Sequence, residues 1–292
     1  MSKNILVTGG YGTLATHLLQ NMVKDTKNFE ISTTVRKLKP QNNIQNVTYI
    51  TNDNFFSDDY KIDNIDIIIN CAFSRTNNLP DLADSIGYTK NLFLKVKENN
   101  IKALVNISSQ SVYGMYRENK TLETDKINPA DVYALGKFAC EELGNGIFQN
   151  SNTKYTNLRL GSLVGTEYTD RVVNKLIKKA RETGVIEIEN GRQQFGYLHV
   201  EDAAKAIIKL IETPVEKWNP VYNIGSDESG NLTLEEIAGF IKEKFEQKGL
   251  KVVLNKKTSS RKTIMNSGLF IKSTGWKHSK TLYNFMDDLI NC

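Results

Sequence analysis

Short apolar runs alternate with longer amphipathic stretches through the first half of the chain. NILVTG, FEISTTV, VTYITN, DIIINCA, KALVNIS and YTNLRLG each have strand length and β-branched content. Helical spacing of apolar residues fills Ala15–Val23, Leu82–Val96 and Val132–Phe148 between several of them. Strands alternating with helices predict an α/β fold, a Rossmann-type doubly wound parallel sheet covered on both faces. After about Gly165 the rhythm changes to a helix at Arg171–Arg181, the strand VIEIEN, a short strand YLHV and a helix at Glu201–Ile211. The strand VYNIG and the helix TLEEIAGFIKEKF follow, with Thr233 and Glu236 spaced as a capping box. The expected division is a main domain over 1–165, rejoined by a segment at about 197–226. A smaller α/β lobe takes 166–196 and 227–292.

The junction of the first strand and first helix carries candidate chemistry. In ILVTGGYGTLATHLL the strand ends at Thr8, and Gly9, Gly10 and Gly12 lead into the helix through Tyr11, Thr13 and Leu14. Glycines let the backbone turn sharply beside a pyrophosphate, and a helix N-terminus offers free N–H donors and a positive dipole end. A lone glycine triplet is weak evidence, but this one opens an alternating strand–helix chain, and that context points to dinucleotide binding. NAD-selective sites usually place an acid at the end of the second strand. Here that strand ends in Arg36 and Lys37, which suit the 2′-phosphate of NADP. NADPH is therefore the favoured cofactor, with NAD as the alternative.

Composition narrows the setting. The 39% hydrophobic and 24% charged fractions are those of a soluble globular protein, and no apolar run approaches the ~20 residues of a membrane span. The net charge of +5 is dispersed among acids, so neither a nucleic-acid patch nor a membrane surface is expected. Cys71, Cys140 and Cys292 are widely spaced and odd in number, which fits a reducing cytoplasm. No His, Cys or acidic cluster has metal spacing, and no metal is expected.

Tyr133 precedes Lys137 by four residues, a spacing that puts both on one face of the predicted Val132–Phe148 helix. Tyr116 and Lys120 repeat the spacing, but in a polar stretch without apolar periodicity. A phenol has a free pKa of ~10, so one that moves protons near neutrality needs a cation beside it. The chain resembles the extended short-chain dehydrogenase/reductase family over nearly its whole length. The resemblance is carried by TGGYGTLA, Asp53, NCA at 70–72, SSQSVYG, Tyr133 with Lys137, LRLGSLVG, YLHVEDAAKA and YNIGS, in that order. It implies Tyr133 as the catalytic acid, Lys137 as its tuning cation and ribose ligand, and Ser109 as the hydroxyl partner, with Ser108 the near alternative. It further implies that Asp53 contacts adenine, that Ala72 lines the cofactor groove, and that Leu160 to Leu163 lie by the nicotinamide. His199 is expected to be a packed, hydrogen-bonded histidine. Relatives of this kind act on nucleotide sugars and dimerise through the helices matching Leu82–Val96 and Val132–Phe148.

Departures from the family pattern refine the function. The Asp-Glu pair of the 4,6-dehydratases is replaced by Gln110 and Ser111, which argues against elimination of water. Phe195 stands where many relatives carry the arginine that binds the substrate diphosphate, leaving Arg171 and Arg192 as substitutes, with neither assigned. The asparagine often found on the fourth helix has Ser85 nearest its place. The favoured expectation is an NADPH-dependent reductase of a nucleotide-activated 4-keto-deoxysugar. An epimerase of the same fold is the alternative, and a catalytically silent dinucleotide-binding protein lies outside both.

Overall fold

Alternation in the sequence becomes one sheet. The computed structural model describes residues 2–25, 28–226, 228–245, 249–255 and 261–291. The first half contains β1 (Lys3–Thr8), α1 (Thr13–Met22), β2 (Phe29–Val35), β3 (Thr48–Thr51), α2 (Asn52–Phe56), β4 (Ile67–Asn70), α3 (Leu79–Glu98), β5 (Ala103–Ser109), α4 (Val132–Phe148) and β6 (Lys154–Leu160). The second contains β7 (Ser162–Val164), α5 (Val172–Thr183), β8 (Val185–Glu189), β9 (Tyr197–His199), α6 (Val200–Glu212), β10 (Val221–Ile224), α7 (Leu234–Lys244), β11 (Lys251–Asn255), α8 (Gly268–Thr274) and α9 (Leu282–Asn291). The seven-stranded sheet runs β3-β2-β1-β4-β5-β6-β10, parallel throughout. All six runs of the first half lie in it, VYNIG supplies the seventh strand, and the expected Rossmann-type architecture is observed.

Alternate residues of each strand feed the two faces, as the period of a strand demands. Ile5 and Val7 of β1 join α1 and α6 in one core, whereas Leu6 joins Leu92, Phe93 and Val96 of α3 in another. A third core gathers α5, β8, α7 and α9. The Thr233–Glu236 capping box forms at the start of α7 as its spacing predicts.

Some boundaries differ from the sequence pattern. Helix α3 starts at Leu79, three residues before the apolar stripe, because Asn78 accepts a hydrogen bond from the Asp81 N–H and Pro80 occupies the first turn. The run VTYITN ends as a strand at Thr51, whose side chain caps α2. β11, α8 and α9 are not among the elements expected from the sequence, although Leu282, Phe285, Met286 and Leu289 do have helical spacing. β11 is mostly exposed, and α8 is a seven-residue helix that places Phe270 in the main core. Among the described residues no helix is long and apolar enough to cross a membrane.

One polar row crosses the buried sheet. Thr8, Asn70, Asn106 and Asn157 stand in register on β1, β4, β5 and β6. The Thr8 hydroxyl donates to Asn70 Oδ1 at 2.8 Å, Asn70 Nδ2 to Asn106 Oδ1 at 3.2 Å, and Asn106 Nδ2 to Asn157 Oδ1 at 2.9 Å. The Tyr155 hydroxyl closes the row on Asn157 at 2.7 Å, beneath the Cys140 carbonyl of α4. Buried amides hold such positions only when paired. Asn106→Leu leaves Asn70 Nδ2 unpaired, while Asn157 Oδ1 keeps the Tyr155 hydroxyl, so urea unfolding should show a loss of about 1–3 kcal/mol. A loss within experimental error would mean the row contributes nothing to the fold.

Candidate active site

Strand order reverses between β1 and β4, and the crevice at their carboxyl ends is where open α/β sheets bind ligands. Gly9 turns there with φ +75°, and a Cβ on it would lie 3.1 Å from Ala72 Cα. A Cβ on Gly10 would sit 2.3 Å from Thr33 Oγ1, so only glycine fits both positions without displacement. Gly12 is the N-cap of α1 and supplies no side-chain cap, which leaves the first-turn N–H groups facing the crevice. The Thr8 hydroxyl also accepts from the Ala72 N–H at 3.1 Å, fixing the opposite lip. These features fit a dinucleotide, with the pyrophosphate over Gly9 to Leu14.

From the glycine turn a cavity of about 280 Å³ runs past Thr13, Leu14, Leu160 and Leu163 to Ser109, Tyr133 and Lys137. Helix α4 presents Tyr133 and Lys137 on one face, with its N-terminus capped by Asp131, which accepts from the Ala134 N–H at 2.8 Å. The Phe73 ring lies between the two side chains, edge-on to Tyr133 and 4.1 Å below Lys137 Nζ. Lys137 is buried and donates to the Ile107 carbonyl at 2.7 Å. Burial pulls its ammonium down to about 8, against the pull of Cys140, Cys71 and Glu141. Burial likewise raises the Tyr133 phenol, opposed by the charge of Arg75 and a hydrogen bond with Ser109. The cation that lowers this phenol is thus Arg75, while Lys137 faces a backbone carbonyl.

The two serines separate cleanly. Ser108 is buried and donates to Glu141, which pairs with Arg159 at 2.6 Å inside the fold. Both serines line the cavity, but Ser109 is less buried and is bonded to the Ser111 hydroxyl, itself on the cavity wall, at 3.0 Å. The second Tyr–Lys spacing separates as well. Lys120 pairs with Glu228 at 2.6 Å, and exposed Tyr116 forms a β-bridge with Lys262. His199 caps α6 by accepting from the Glu201 N–H at 3.2 Å and packs edge-on against Phe285, as expected of a structural histidine.

Of the other positions, Arg36, Lys37, Asp53 and Arg192 fall outside this cavity. Arg36 and Lys37 are exposed where β2 ends, and Asp53 is exposed in the first turn of α2, after β3. The Tyr11 hydroxyl crosses to the loop after β2, donating to Asn43 Oδ1 at 2.6 Å and accepting from the Lys39 N–H at 2.9 Å. Arg171 lines the dinucleotide-side cavity, with Nε on the Leu163 carbonyl at 2.9 Å. Arg192 is exposed and lines neither cavity of the site.

A second cavity, about 340 Å³, opens on the far side of Tyr133. Residues 5–225 match the model of the NAD dependent epimerase/dehydratase family. The chain belongs to that family. It is 24% identical to the dTDP-D-glucose 4,6-dehydratase of Mus musculus over 77% of this chain and 69% of the relative. It is 25% identical to an uncharacterized UDP-glucose epimerase of Bacillus subtilis over 80% of this chain and 82% of the relative. UDP-glucuronic acid 4-epimerase from Bacillus cereus, solved with UDP-glucuronic acid and NAD, superposes with TM-score 0.80 at 20% identity, covering 99% of both chains. These likenesses place the fold among nucleotide-sugar epimerases and dehydratases.

The second cavity contains the functional candidates that sequence reasoning missed: Arg75, Arg117 and Arg261. Arg117 is half-buried over the Tyr113 ring and bonds only neutral acceptors, the Gly114 and Gln110 carbonyls and Thr121 Oγ1. Burial draws its guanidinium down to about 10, against the pull of Tyr113 and Asp125. A compositional signal was available. Four of the eight arginines line the two cavities of this family site, whereas Lys137 is their sole lysine in a lysine-rich chain. Arginine is the residue that suits planar, bidentate anion recognition.

Proposed function

We propose that the chain transfers hydride between a nicotinamide dinucleotide and a ring carbon of a nucleotide-activated sugar. The observation that supports it is the convergence of Ser109, Tyr133 and Lys137 in the glycine-turn cavity, with Tyr133 shared by the arginine-lined one. When bound, the dinucleotide supplies or takes the hydride. Ser109 orients the reacting oxygen, and Tyr133 gives it a proton as a keto group becomes an alcohol, or takes one in reverse. Lys137 would leave the Ile107 carbonyl for the ribose hydroxyls. Arg117 and Arg261, away from the reacting wall, supply the charge for the diphosphate that Phe195 no longer can.

Two readings of the direction follow. Reduction with NADPH, the route to a reduced 4-keto sugar, is favoured by Arg36 and Lys37, which form no ion pair among the described residues. Burial that keeps the Tyr133 phenol protonated also suits a proton donor. Epimerisation with retained NAD is favoured by the relatives, whose names include an epimerase as well as dehydratases. Dehydration fits less well, since uncharged Gln110 and Ser111 occupy the reacting wall.

Tyr133→Phe should lower turnover of a nucleotide-sugar panel by about 10²–10⁴-fold while dinucleotide affinity stays within a factor of about two. Turnover at the wild-type rate would end the assignment of the proton to this phenol. Titrating NADPH and NADH into emptied protein should show the phosphorylated cofactor preferred, and Arg36→Asp should reverse the ratio. An unchanged ratio in that variant would turn the choice toward NAD and epimerisation.

A further inference from the structure

Five residues line both cavities: Arg75, Gln110, Ser111, Tyr133 and Ser162. A sugar reacting at Tyr133 must lie against this shared wall, so whatever charge and hydrogen-bonding capacity the wall carries selects its substituents. Arg75 is the only formally charged member near neutral pH. It sits on the loop after β4, held where the Ser74 N–H donates to Ser85 Oγ at 3.2 Å. Among the described residues its one acidic partner is Asp170, at 3.8 Å from Nη1, with the side chains 57% and 67% exposed. A long, exposed pair of this kind contributes little and is readily exchanged for another carboxylate.

Gln110 makes the second demand. Its side chain is 6% exposed, with Nε2 donating to Ser162 Oγ at 2.7 Å and to the Phe195 carbonyl at 3.3 Å. Both donations fix the amide's orientation, and its buried Oε1 has no protein partner. An oxygen so placed accepts and cannot donate, and it costs free energy until a donor meets it. The wall therefore offers one cation and one unfilled acceptor together with the reacting phenol. Asp131, the other acid of the arginine-lined cavity, is tied to the N-terminus of α4 and does not compete for Arg75.

We infer that this wall is a sugar-acid subsite, with Arg75 receiving a carboxylate on the sugar beside the reacting carbon and Gln110 Oε1 accepting from a neighbouring hydroxyl. The inference rests on the nucleotide-sugar reading above and replaces its deoxysugar by an acidic sugar. Arg117 and Arg261 remain for the diphosphate, so the third guanidinium answers a third negative group. The lack of an acid at Gln110 keeps the substrate's hydroxyl bound rather than eliminated.

Calorimetric titration of the protein saturated with its tighter-binding dinucleotide, using UDP-glucuronic acid and UDP-glucose, isolates this group, since the two ligands share nucleotide and diphosphate. UDP-glucuronic acid should bind about tenfold or more tightly, the ratio expected of a charge-assisted hydrogen bond. Arg75→Gln should bring the ratio near one, and Arg75→Lys should retain part of it. Equal affinities in the wild type, or a preference that persists in Arg75→Gln, would overturn the subsite and leave the nucleotide-sugar reading standing. Binding of neither ligand would overturn both.

Discussion

The site depends on how closely two strand ends approach. β1 and β4 are neighbours whose chains leave the sheet in opposite directions, and the gap between them is set by Gly9 against the Ala72 backbone. The Thr8 hydroxyl ties both lips, accepting from Ala72 while donating to Asn70. That one hydroxyl is also the end of the amide row that crosses β4, β5 and β6 to the underside of α4. The turn that fits a pyrophosphate and the helix that carries Tyr133 and Lys137 are therefore joined through paired polar groups inside the buried sheet. A loose core would allow these two to drift, and hydride transfer tolerates little drift.

Much of this architecture was legible because it is local. Parallel strands buried on both faces read as apolar runs, and IIIN, ALVNISS and KYTNLRL could hardly be anything else. The glycine turn and the Tyr133–Lys137 helix are likewise short-range patterns. Ser109 and Ser108 could not be told apart until the fold gave Ser108 to the buried Glu141 and left Ser109 bonded to Ser111 on the cavity wall. The end of the chain was hardest. β11 pairs with β8 through mostly exposed residues, and α8 matters through Phe270, a single side chain in a distant core.

The arginines of the second cavity illustrate the other limit. Arg75 follows β4, Arg117 follows the turn after β5, and Arg261 precedes α8, so nothing in their spacing announces that they meet. They are brought together by the fold, and their cost is visible in Arg117, whose guanidinium is drawn down by burial. A half-buried cation such as Arg117, hydrogen-bonded to carbonyls and a hydroxyl, is a poor contributor to stability. Retention of these arginines in one cavity beside Tyr133 makes sense as recognition of an anionic substrate. Arg192, expected as a substitute for the missing arginine, is out on the surface because the turn after β8 directs it away from the crevice.

The central claim is that one phenol stands where the two cavities meet and that the sugar reacts there. A crystal structure with a bound dinucleotide and UDP-glucuronic acid tests it most directly. The account predicts the nicotinamide between Leu160 and Leu163 and a sugar oxygen within about 2.6–3.2 Å of both the Tyr133 hydroxyl and Ser109 Oγ. A sugar seated in the arginine-lined cavity with no oxygen in reach of Tyr133 would contradict it.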